Sequence, residues 1–197
     1  MIQQGTDDGA NGYELGAQEF IVRRTESRIG VATVRSWAQG LPRGAAVLDL
    51  GCGHGVPISQ VLMEEGCAVW GIDASPTLVS LFRTRFPGVD VECARVEDSQ
   101  FFRRTFDGVV AWGLMFLLEP GTQPLVLEKI SRALEQGGRL LFTAPEQVCE
   151  WVDVLTERLS VSLGAVAYRR VLDEVGMDLL EQTHDEGDNH YYLAVKR

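Results

Sequence analysis

The sequence lacks the features that mark membrane and exported proteins. Its 197 residues contain no apolar run close to the roughly 20 residues that a membrane-spanning helix needs. Residues 1–9 are polar and acidic, whereas a signal or transit peptide carries basic residues and, for export, an apolar core. We therefore expect a cytoplasmic protein with no leader peptide and no membrane partner.

Basic residues are also scarce. Lys and Arg together number 18 against 28 Asp and Glu, which gives a formal net charge of −10. A protein that grips a nucleic acid backbone presents a concentrated basic surface, and so does one that is attracted to anionic lipid. The charge balance therefore disfavours nucleic acid and membrane surfaces as partners.

Cysteine and histidine are too few and too scattered to indicate a metal site. The chain has three histidines, no Cys-x-x-Cys pair and no cysteine–histidine group with zinc spacing. Three of the four cysteines lie in or beside apolar runs, where a free thiol behaves as a small buried side chain. The four are Cys52, Cys67, Cys93 and Cys149. We predict free thiols in a reducing compartment and no metal.

The first part of the chain predicts a helical cap. Residues 1–12 are rich in glycine and aspartate and predict a mobile tail. Between residues 13 and 38, apolar side chains recur every three or four positions, which indicates one broken helix or two amphipathic ones. We divide the single expected domain into this tail and cap, residues 1–42, and a main body, residues 43–197.

From residue 43 onward, short apolar runs alternate with helical patterns. Strands are predicted at residues 45–50, 68–72, 89–93, 107–111, 139–143, 178–183 and 190–195, and helices at residues 56–65, 75–86, 123–135, 147–157 and 163–175. The first strand shows no alternation, which is typical of a strand buried on both faces of a parallel sheet. The last two strands are too close for a parallel crossover and must form a hairpin. The pattern predicts an α/β fold with a doubly wound sheet, parallel except for its last strand.

A glycine-rich loop follows the first strand. The sequence Asp-Leu-Gly-Cys-Gly-His-Gly at residues 49–55 places glycine at every second position, where a ligand can lie directly on the backbone. The dinucleotide fingerprint needs a further glycine at position 56, which is Val56 here. Asp49 would repel a pyrophosphate but suits the ammonium group of an amino acid. The loop therefore favours an amino-acid-bearing ligand, with a nicotinamide dinucleotide as the weaker alternative.

A second acid stands at the tip of the next strand. Asp73 lies 22 residues past Gly51, where an acid can accept both hydroxyls of an unphosphorylated ribose. An aspartate at a strand end alone is more often a helix cap or a solvated turn residue. In register with the glycine loop, ribose binding becomes the better interpretation.

Together these motifs resemble the class I S-adenosylmethionine-dependent methyltransferases, in particular the small, free-standing ones. The resemblance rests on VLDLGCGHG at 47–55, GIDAS at 71–75, FDGVVAWG at 106–113 and ISRALEQGGRLLF at 130–142, and on YRRVLDEVGM at 168–177 before the final hairpin. It implies a Rossmann-like sheet of order 3-2-1-4-5-7-6 with strand 7 antiparallel and helices on both faces. It also implies S-adenosyl-L-methionine as cofactor and S-adenosyl-L-homocysteine as product.

The resemblance implies a set of cofactor-binding residues. They are Asp49, Gly51, Cys52 and Gly53 for the methionine part, Asp73 for the ribose, Ala74 and Ser75 beside the adenine, Trp112 after the fourth strand, and Tyr13 and Arg28 from the cap. After the third strand Arg95 stands where the family often has an acid. Val96, Glu97 and Asp98 are the substitutes, and which acid faces the adenine stays open. Trp112 fits a packing aromatic equally well.

The implied reaction is methyl transfer to a small-molecule acceptor by in-line displacement. A general base is needed only if the nucleophile must lose a proton. The candidates are His184, His190 and Glu146, which the topology brings to the carboxyl edge of the sheet; both histidines also fit solvated turn residues. His54 is expected to shape the glycine loop. Apolar lid residues suggest a small, partly apolar acceptor: Tyr13, Phe20, Met115, Phe116 and Trp151.

Two other functions fit parts of this pattern. A non-catalytic S-adenosylmethionine-binding regulator or partner subunit would keep the cofactor motifs and need no base. An NAD-dependent oxidoreductase would share the sheet but not the glycine spacing. The sequence does not decide the methylated element, the acceptor or the oligomeric state.

Overall fold

The computed structural model describes residues 10–197, so residues 1–9 of the predicted tail lie outside the described residues. Residues 10–12 are packed on the fold and are not a mobile tail, since Ala10 is buried and Asn11 Nδ2 donates to the carbonyl of Leu117 at 3.2 Å. The helices are α1 (Ala17–Thr25), α2 (Val31–Gln39), α3 (Ile58–Glu64), α4 (Pro76–Arg85), α5 (Thr122–Ala133) and α6 (Ala165–Glu174). The strands are β1 (Ala46–Leu50), β2 (Ala68–Asp73), β3 (Asp90–Cys93), β4 (Phe106–Ala111), β5 (Leu134–Thr143), β6 (Val148–Val152), β7 (Leu159–Leu163), β8 (Met177–His184) and β9 (His190–Lys196).

Seven of the strands form one sheet, which confirms the predicted fold. Their order is β3-β2-β1-β4-β5-β9-β8, and β9 runs antiparallel to both of its neighbours. β1 lies at the centre of the parallel part, with Asp49 in register with Gly71 of β2 and Val110 of β4. The carboxyl ends of β1, β2 and β4 therefore meet at one edge, where α/β sheets bind their ligands.

Helices cover both faces of this sheet because its strands are apolar on both sides. On one face Leu48 and Phe142 pack with residues of α5 and α6. On the other face Val47 and Leu141 pack with residues of α2 and α3. This double burial explains the continuous apolar runs that predicted a parallel sheet.

The cap consists of two helices, one of the two arrangements that the sequence predicted. Gly30 separates them with a φ of +84°, and a Cβ there would lie 2.6 Å from Nε1 of Trp112. The break is therefore a glycine turn packed closely on the residue after β4. Among residues 10–197, no helix has both the length and the apolar character required to cross a membrane.

The helix predicted for residues 147–157 is wrong. The segment begins a separate two-stranded antiparallel hairpin, in which Val148 of β6 pairs with Leu163 of β7. Its side chains alternate, with Trp151 and Ser160 on one face and Val148 and Val152 exposed on the other. The same apolar spacing fits a short helix, but the valines and the tryptophan favour a strand.

The turn of this hairpin is built by an aspartate. Asp153 Oδ1 accepts hydrogen bonds from the backbone N–H of Leu155 at 2.9 Å and of Thr156 at 2.8 Å. The Asp153 N–H donates to the carbonyl of Arg158 at 2.8 Å and closes the loop. These local hydrogen bonds compete with the backbone hydrogen bonds of a helix, and they favour a turn at Asp153.

Candidate active site

A cavity of about 690 Å³ opens at the carboxyl edge of the parallel strands. This volume lies within the range of small-molecule sites, roughly 300–1,000 Å³. Its walls come from the glycine loop, the ends of β2 and β3, the segment after β4, the cap and the β6–β7 turn. The wall residues used below are Asp49, Gly51, Cys52, Asp73, Ala74, Val96, Glu97, Trp112, Leu114, Phe116, Tyr13, Phe20, Arg24, Asp153 and Leu155.

The glycine loop presents bare backbone to this cavity. Gly51 has a φ of +71°, and its N–H donates to the carbonyl of Ile72 at 2.8 Å. Gly53 has a φ of +56°, and a Cβ there would lie 3.0 Å from the ring of Phe20. Both positions favour glycine. Gly51 lines the cavity together with Cys52, so a ligand can approach the backbone closely there, whereas Gly53, also a predicted cofactor-binding residue, is covered by Phe20 and is not among the residues of the cavity wall.

Asp73 connects the two predicted cofactor motifs. Its Oδ2 accepts the N–H of Gly53 at 2.8 Å, and its Oδ1 accepts the N–H of Ser75 at 2.8 Å. Burial, with the negative charge of Glu14, raises the pKa of this carboxyl above its ordinary value. Asp73 is only partly buried and also lines the cavity, so its carboxylate can both fix the loop and accept ligand hydroxyls.

Asp49 lies beneath the glycine loop and is almost completely buried. The Ser59 hydroxyl donates to its Oδ2 at 2.5 Å. Burial, together with the negative charge of Asp73, raises the pKa of Asp49 to about 7, although the hydrogen bond from Ser59 acts in the opposite direction. Two carboxylates on one wall disfavour a pyrophosphate there and favour a cationic group. An amino acid ammonium or a sulfonium fits this wall.

The residues beside the predicted adenine position are only partly brought together. Val96 and Glu97 line the cavity, and Glu97 forms a 2.6 Å ion pair with Arg95. Asp98 is exposed and is absent from the wall formed by the described residues. Of the two acids considered from sequence, Glu97 is the one that the cavity contains.

Ser75 serves the helix that follows Asp73. Its side chain is buried and accepts the N–H of Leu78 at 3.2 Å, which caps the start of α4. Glu14 accepts hydrogen bonds from the Ser75 hydroxyl and, at 2.6 Å, from the Thr77 hydroxyl. These bonds attach the segment before α1 to the β2 end of the site, while Ala74 lines the cavity.

The cap contributes a different arginine from the predicted one. Tyr13 lines the cavity as expected, and its pKa is raised mainly by burial and then by Asp153, to which it is hydrogen bonded. Arg28 is exposed and lies in a separate depression with Thr25 and Arg35. Arg24, one turn earlier, lines the cavity instead.

Trp112 is held in place by a chain of hydrogen bonds. Its Nε1 donates to the Tyr191 hydroxyl at 2.6 Å, and that hydroxyl donates to Asp185 Oδ2 at 2.7 Å. The guanidinium carbon of Arg24 lies 4.0 Å from the centroid of the indole ring. Trp112 therefore packs against its neighbours and also forms part of the wall, and its contact with a cofactor stays a prediction.

The three candidate bases lie outside the cavity wall that the described residues form. The β8–β9 turn is at the expected edge, because β8 runs parallel to β5. His190 Nδ1 lies 3.0 Å from His184 Nε2, and His190 Nε2 lies 3.2 Å from Gln182 Oε1. Burial first, and then the neighbouring His184, lower the pKa of His190. Glu146 is exposed.

His54 supports the glycine loop. Its ring is buried, with Nε2 3.2 Å from the Thr25 hydroxyl and Phe20 packed edge-on at 5.8 Å. Burial, and then Arg85 and Arg24, lower its pKa to about 4, so the imidazole is neutral at pH 7. This placement agrees with a structural role.

The predicted lid is present in part, and the sequence missed some of it. Phe20 and Phe116 line the cavity; Met115 is buried in the core, and Trp151 packs behind Phe116 with ring centroids 5.2 Å apart. Wall residues that the sequence did not single out include Arg24, Asp153 and Leu155. Asp153 had a local signal, since an aspartate after a β-branched run favours a turn.

The described residues do not assemble a metal site. Among residues 10–197, no group of three or more His, Cys, Asp or Glu side chains is placed to hold a metal ion. The four cysteines are free thiols, as predicted.

Comparisons with known proteins agree with the geometry. A family model described as a methyltransferase domain matches residues 47–138, which contain β1 to the start of β5. The chain is 32% identical over 188 residues to a sarcosine/dimethylglycine N-methyltransferase of Aphanothece halophytica, covering 88% of this chain and 65% of the relative. It is 26% identical over 184 residues to the protein of that name from Halorhodospira halochloris, covering 87% and 65%.

The chain therefore spans about 65% of the length of these curated relatives. A solved structure, the magnesium protoporphyrin IX methyltransferase of Synechocystis PCC 6803 with bound S-adenosylhomocysteine, superposes with a TM-score of 0.79. That match covers 97% of this chain and 100% of the other at 16% identity, so it establishes the fold alone. The glycine loop, the acid at the β2 end and the sheet order agree with these matches, so the chain is similar to the class I S-adenosylmethionine-dependent methyltransferases and contains a segment that matches their methyltransferase domain.

Proposed function

We propose that this protein transfers a methyl group from S-adenosylmethionine to a small molecule, and that the acceptor atom is an amine nitrogen. The methyl-transfer part of this proposal rests on one observation. The backbone of the glycine loop is hydrogen bonded to Asp73, and Asp49 lies beneath the loop, where it is hydrogen bonded to Ser59. The loop, Asp73 and Asp49 all border a cavity large enough for a cofactor and a small acceptor.

Each part of the cofactor has a matching wall in this proposal. Asp73 accepts the ribose hydroxyls while keeping its bonds to the loop backbone. Asp49 faces the amino acid ammonium, and Val96 and Glu97 lie beside the adenine. Asp49 and Asp73 also disfavour the pyrophosphate of a nicotinamide dinucleotide, which makes an oxidoreductase the weaker alternative.

When bound, the cofactor supplies an electrophilic methyl carbon attached to a sulfonium sulfur. The chain's own contribution is to hold the two reactants in line and to exclude water. The cap and the β6–β7 turn are suited to this, since Leu155 lies 3.2 Å from the position of a Cβ on Gly16. The two segments therefore meet across the mouth of the cavity.

The amine acceptor is supported by the curated relatives, which are named for N-methylation of sarcosine and dimethylglycine. An unprotonated amine carries the lone pair that attacks, so it needs less help from a base than a hydroxyl does. His184, His190 and Glu146 stay candidates for that help. Asp153, which lines the cavity, is a further carboxylate within it.

Calorimetry with S-adenosylhomocysteine tests cofactor binding. We expect saturable binding by the wild-type protein and no binding of NADH. Asp73→Asn should weaken the S-adenosylhomocysteine Kd by about 10- to 100-fold, as expected for lost charge-assisted hydrogen bonds, whereas Asp98→Asn should leave it unchanged. Absence of binding to folded wild-type protein at millimolar ligand would refute the proposal.

Turnover tests the acceptor. Glycine, sarcosine, dimethylglycine and a panel of other small amines are incubated with labelled S-adenosylmethionine, and methylated products are identified by mass spectrometry. We expect an N-methylated product. Transfer only to oxygen, sulfur or carbon acceptors would contradict the amine proposal, and cofactor binding without any transfer would favour a non-catalytic binding protein.

A further inference from the structure

A lysine on α5 holds the part of the cavity wall that follows β3. Lys129 Nζ donates to the carbonyl of Val96 and to the carbonyl of Glu97, each at 3.0 Å. Val96 and Glu97 line the cavity, whereas Lys129 is partly buried and is absent from the wall that the described residues form. Lys129 therefore supports the wall from behind, through two backbone groups.

The two hydrogen bonds fix the orientation of consecutive peptide groups. The C=O and N–H of one trans peptide unit point in opposite directions, so holding the carbonyls of Val96 and Glu97 also orients the N–H groups of Glu97 and Asp98. An ammonium group has three N–H donors, and Lys129 uses two of them here. Without these bonds the carbonyl of buried Val96 would lose its partner, which favours a different backbone conformation.

The turn that follows this wall has a strained backbone. Phe101, Phe102 and Arg103 have φ angles of +48°, +55° and +52°, in a region that residues other than glycine rarely adopt. Such conformations persist only where the surrounding structure holds them. The Lys129 ammonium nitrogen lies 4.6 Å from the centroid of the Phe101 ring. The same side chain therefore contacts both the wall and the strained turn.

One oxygen of the Glu97 carboxylate keeps its accepting capacity. Arg95 donates to Glu97 Oε1 from Nε at 2.9 Å and from Nη2 at 2.6 Å. Both bonds end on Oε1, which leaves Oε2 for a ligand. An ionised carboxylate accepts hydrogen bonds and donates none. At a cavity wall it fits a base with an amino group and disfavours one with a carbonyl oxygen at the same place.

We propose that Lys129 is a positioning residue that holds the backbone of Val96 and Glu97 so that the cavity selects a purine with an exocyclic amino group. The inference rests on the proposed function, in which these two wall residues lie beside the adenine. Lys129 sets the position of Glu97, and Glu97 distinguishes an amino group from a carbonyl oxygen.

The test compares two ligands that differ only in the base. S-inosylhomocysteine has a carbonyl oxygen where S-adenosylhomocysteine has its amino group. We expect calorimetry to show that the wild-type protein binds S-adenosylhomocysteine about 10- to 100-fold more tightly. In Lys129→Met, the S-adenosylhomocysteine Kd should rise about 10-fold while the S-inosylhomocysteine Kd changes little, so the ratio of the two should fall by about the same factor. Lys129→Arg keeps the charge and the N–H donors and should restore most of the ratio.

Arg132→Met is the matched control, because it also removes a positive charge from α5, at an exposed position where the arginine pairs with Glu128. It should change neither Kd. A melting curve shows whether each variant is folded. If Lys129→Met does not fold, Lys129→Gln replaces it, because this side chain is uncharged and one atom shorter and should lose at least one of the two carbonyl bonds.

The ratio of the two Kd values separates the possible roles of Lys129. A fall in the ratio supports the inference. Equal weakening of both ligands would mean that Lys129 only stabilises the cavity, and the inference would be overturned, as it would be by an unchanged ratio. Wild-type protein that binds both ligands equally well would overturn the inference and leave the proposed function standing, whereas wild-type protein that binds neither would overturn both.

Discussion

At the scale of single residues, Asp49 lowers the stability of the ligand-free protein, while its charge favours binding of a cationic ligand. Its carboxylate is buried and bonded to one hydroxyl, and burial raises its pKa to about 7. An unfolded aspartate titrates near pH 3.9. Above pH 7 the folded protein therefore holds a charged carboxylate that water would solvate better, and such perturbed groups are typical of ligand-binding sites.

Asp49→Asn should stabilise the protein in the absence of ligand, and more so at high pH. The folded-state pKa is raised, so the contribution of Asp49 to stability is fully present below about pH 4 and is lost as pH rises towards 7. Above pH 7 the difference amounts to something on the order of 3 to 4 kcal/mol. Differential scanning fluorimetry at pH 5 and pH 8 should show the larger melting-temperature gain at pH 8.

Asp98→Asn is the control for this comparison, since it removes the same charge from an exposed position. Asp98→Asn should change the melting temperature by the same small amount at pH 5 and at pH 8. A destabilised Asp49→Asn protein at pH 8 would contradict the reasoning. The same variant should also bind S-adenosylhomocysteine more weakly than wild type.

Residues in local motifs could be predicted from sequence, whereas those that depend on helix phase could not. The glycine loop and Asp73 follow directly from strand ends, and the structure joins them by one hydrogen bond. Arg28 was predicted and Arg24 was not, and the sequence indicated one or two helices over residues 13–38 without fixing where the first one ends. α1 stops at Thr25, so Arg28 lies in the turn before α2 and not on the helix face over the cavity.

At the scale of elements, the sheet order could be predicted and the β6–β7 hairpin could not. Long buried runs such as Leu140–Phe142 and the short final turn leave few possible topologies. Val148–Val152 is short, and its apolar spacing satisfies helix and strand alike. Whether this segment forms a strand depends on its pairing with β7 and on the packing of Trp151 against Phe116, and neither contact is local in sequence.

The hairpin turn forms a closure with the segment before α1. Asp153 is hydrogen bonded to Tyr13, and a Cβ on Gly12 would lie 2.8 Å from Cβ of Thr156. Asp153→Ala should loosen this contact, raise amide exchange at residues 153–158 and weaken S-adenosylhomocysteine binding a few-fold. Hydrogen-exchange mass spectrometry with and without ligand measures the effect.

Glu150→Ala, on the exposed face of β6, is the matched control for the closure. It should leave exchange in the turn and the ligand Kd as in wild type. Equal effects from both substitutions would mean that the hairpin had been destabilised as a whole, and the closure by Asp153 would then be rejected.

The β8–β9 hairpin carries the predicted histidine candidates. His184→Ala and His190→Ala should each keep the wild-type Kd for S-adenosylhomocysteine, because neither ring lines the cavity. Calorimetry checks the affinity, and kcat against pH checks the base. Weakened cofactor binding by either variant would contradict the placement; retained binding with lost turnover would assign the base to this hairpin, and full turnover would remove both candidates.

At the scale of the whole molecule, the charge balance and the cavity agree. A formal charge of −10 accompanies a site whose inner wall carries Asp49 and Asp73. The cofactor proposed for it has an ammonium and a sulfonium against one carboxylate. The molecule and its binding wall are thus complementary to a ligand of net positive charge.

Ligand binding should therefore raise the stability of the entire fold. A ligand present at a hundred times its Kd adds about 2.7 kcal/mol to the free energy of unfolding. For a chain of this length, each kcal/mol raises the melting temperature by roughly 2–4 °C, so S-adenosylhomocysteine should raise it by about 5–10 °C. Thermal melts over a ligand series measure this, and the shift should grow with the logarithm of concentration.

Two comparisons make that thermal shift specific to the site. NADH at the same concentration should give no shift, because its pyrophosphate would face Asp49 and Asp73. The Asp73→Asn protein should need 10- to 100-fold more S-adenosylhomocysteine than wild type to reach the same rise in melting temperature, because its Kd is expected to be weaker by about that factor. Equal shifts from both ligands, or from both proteins, would mean that stabilisation arises outside the glycine loop, because only a ligand held there depends on Asp73.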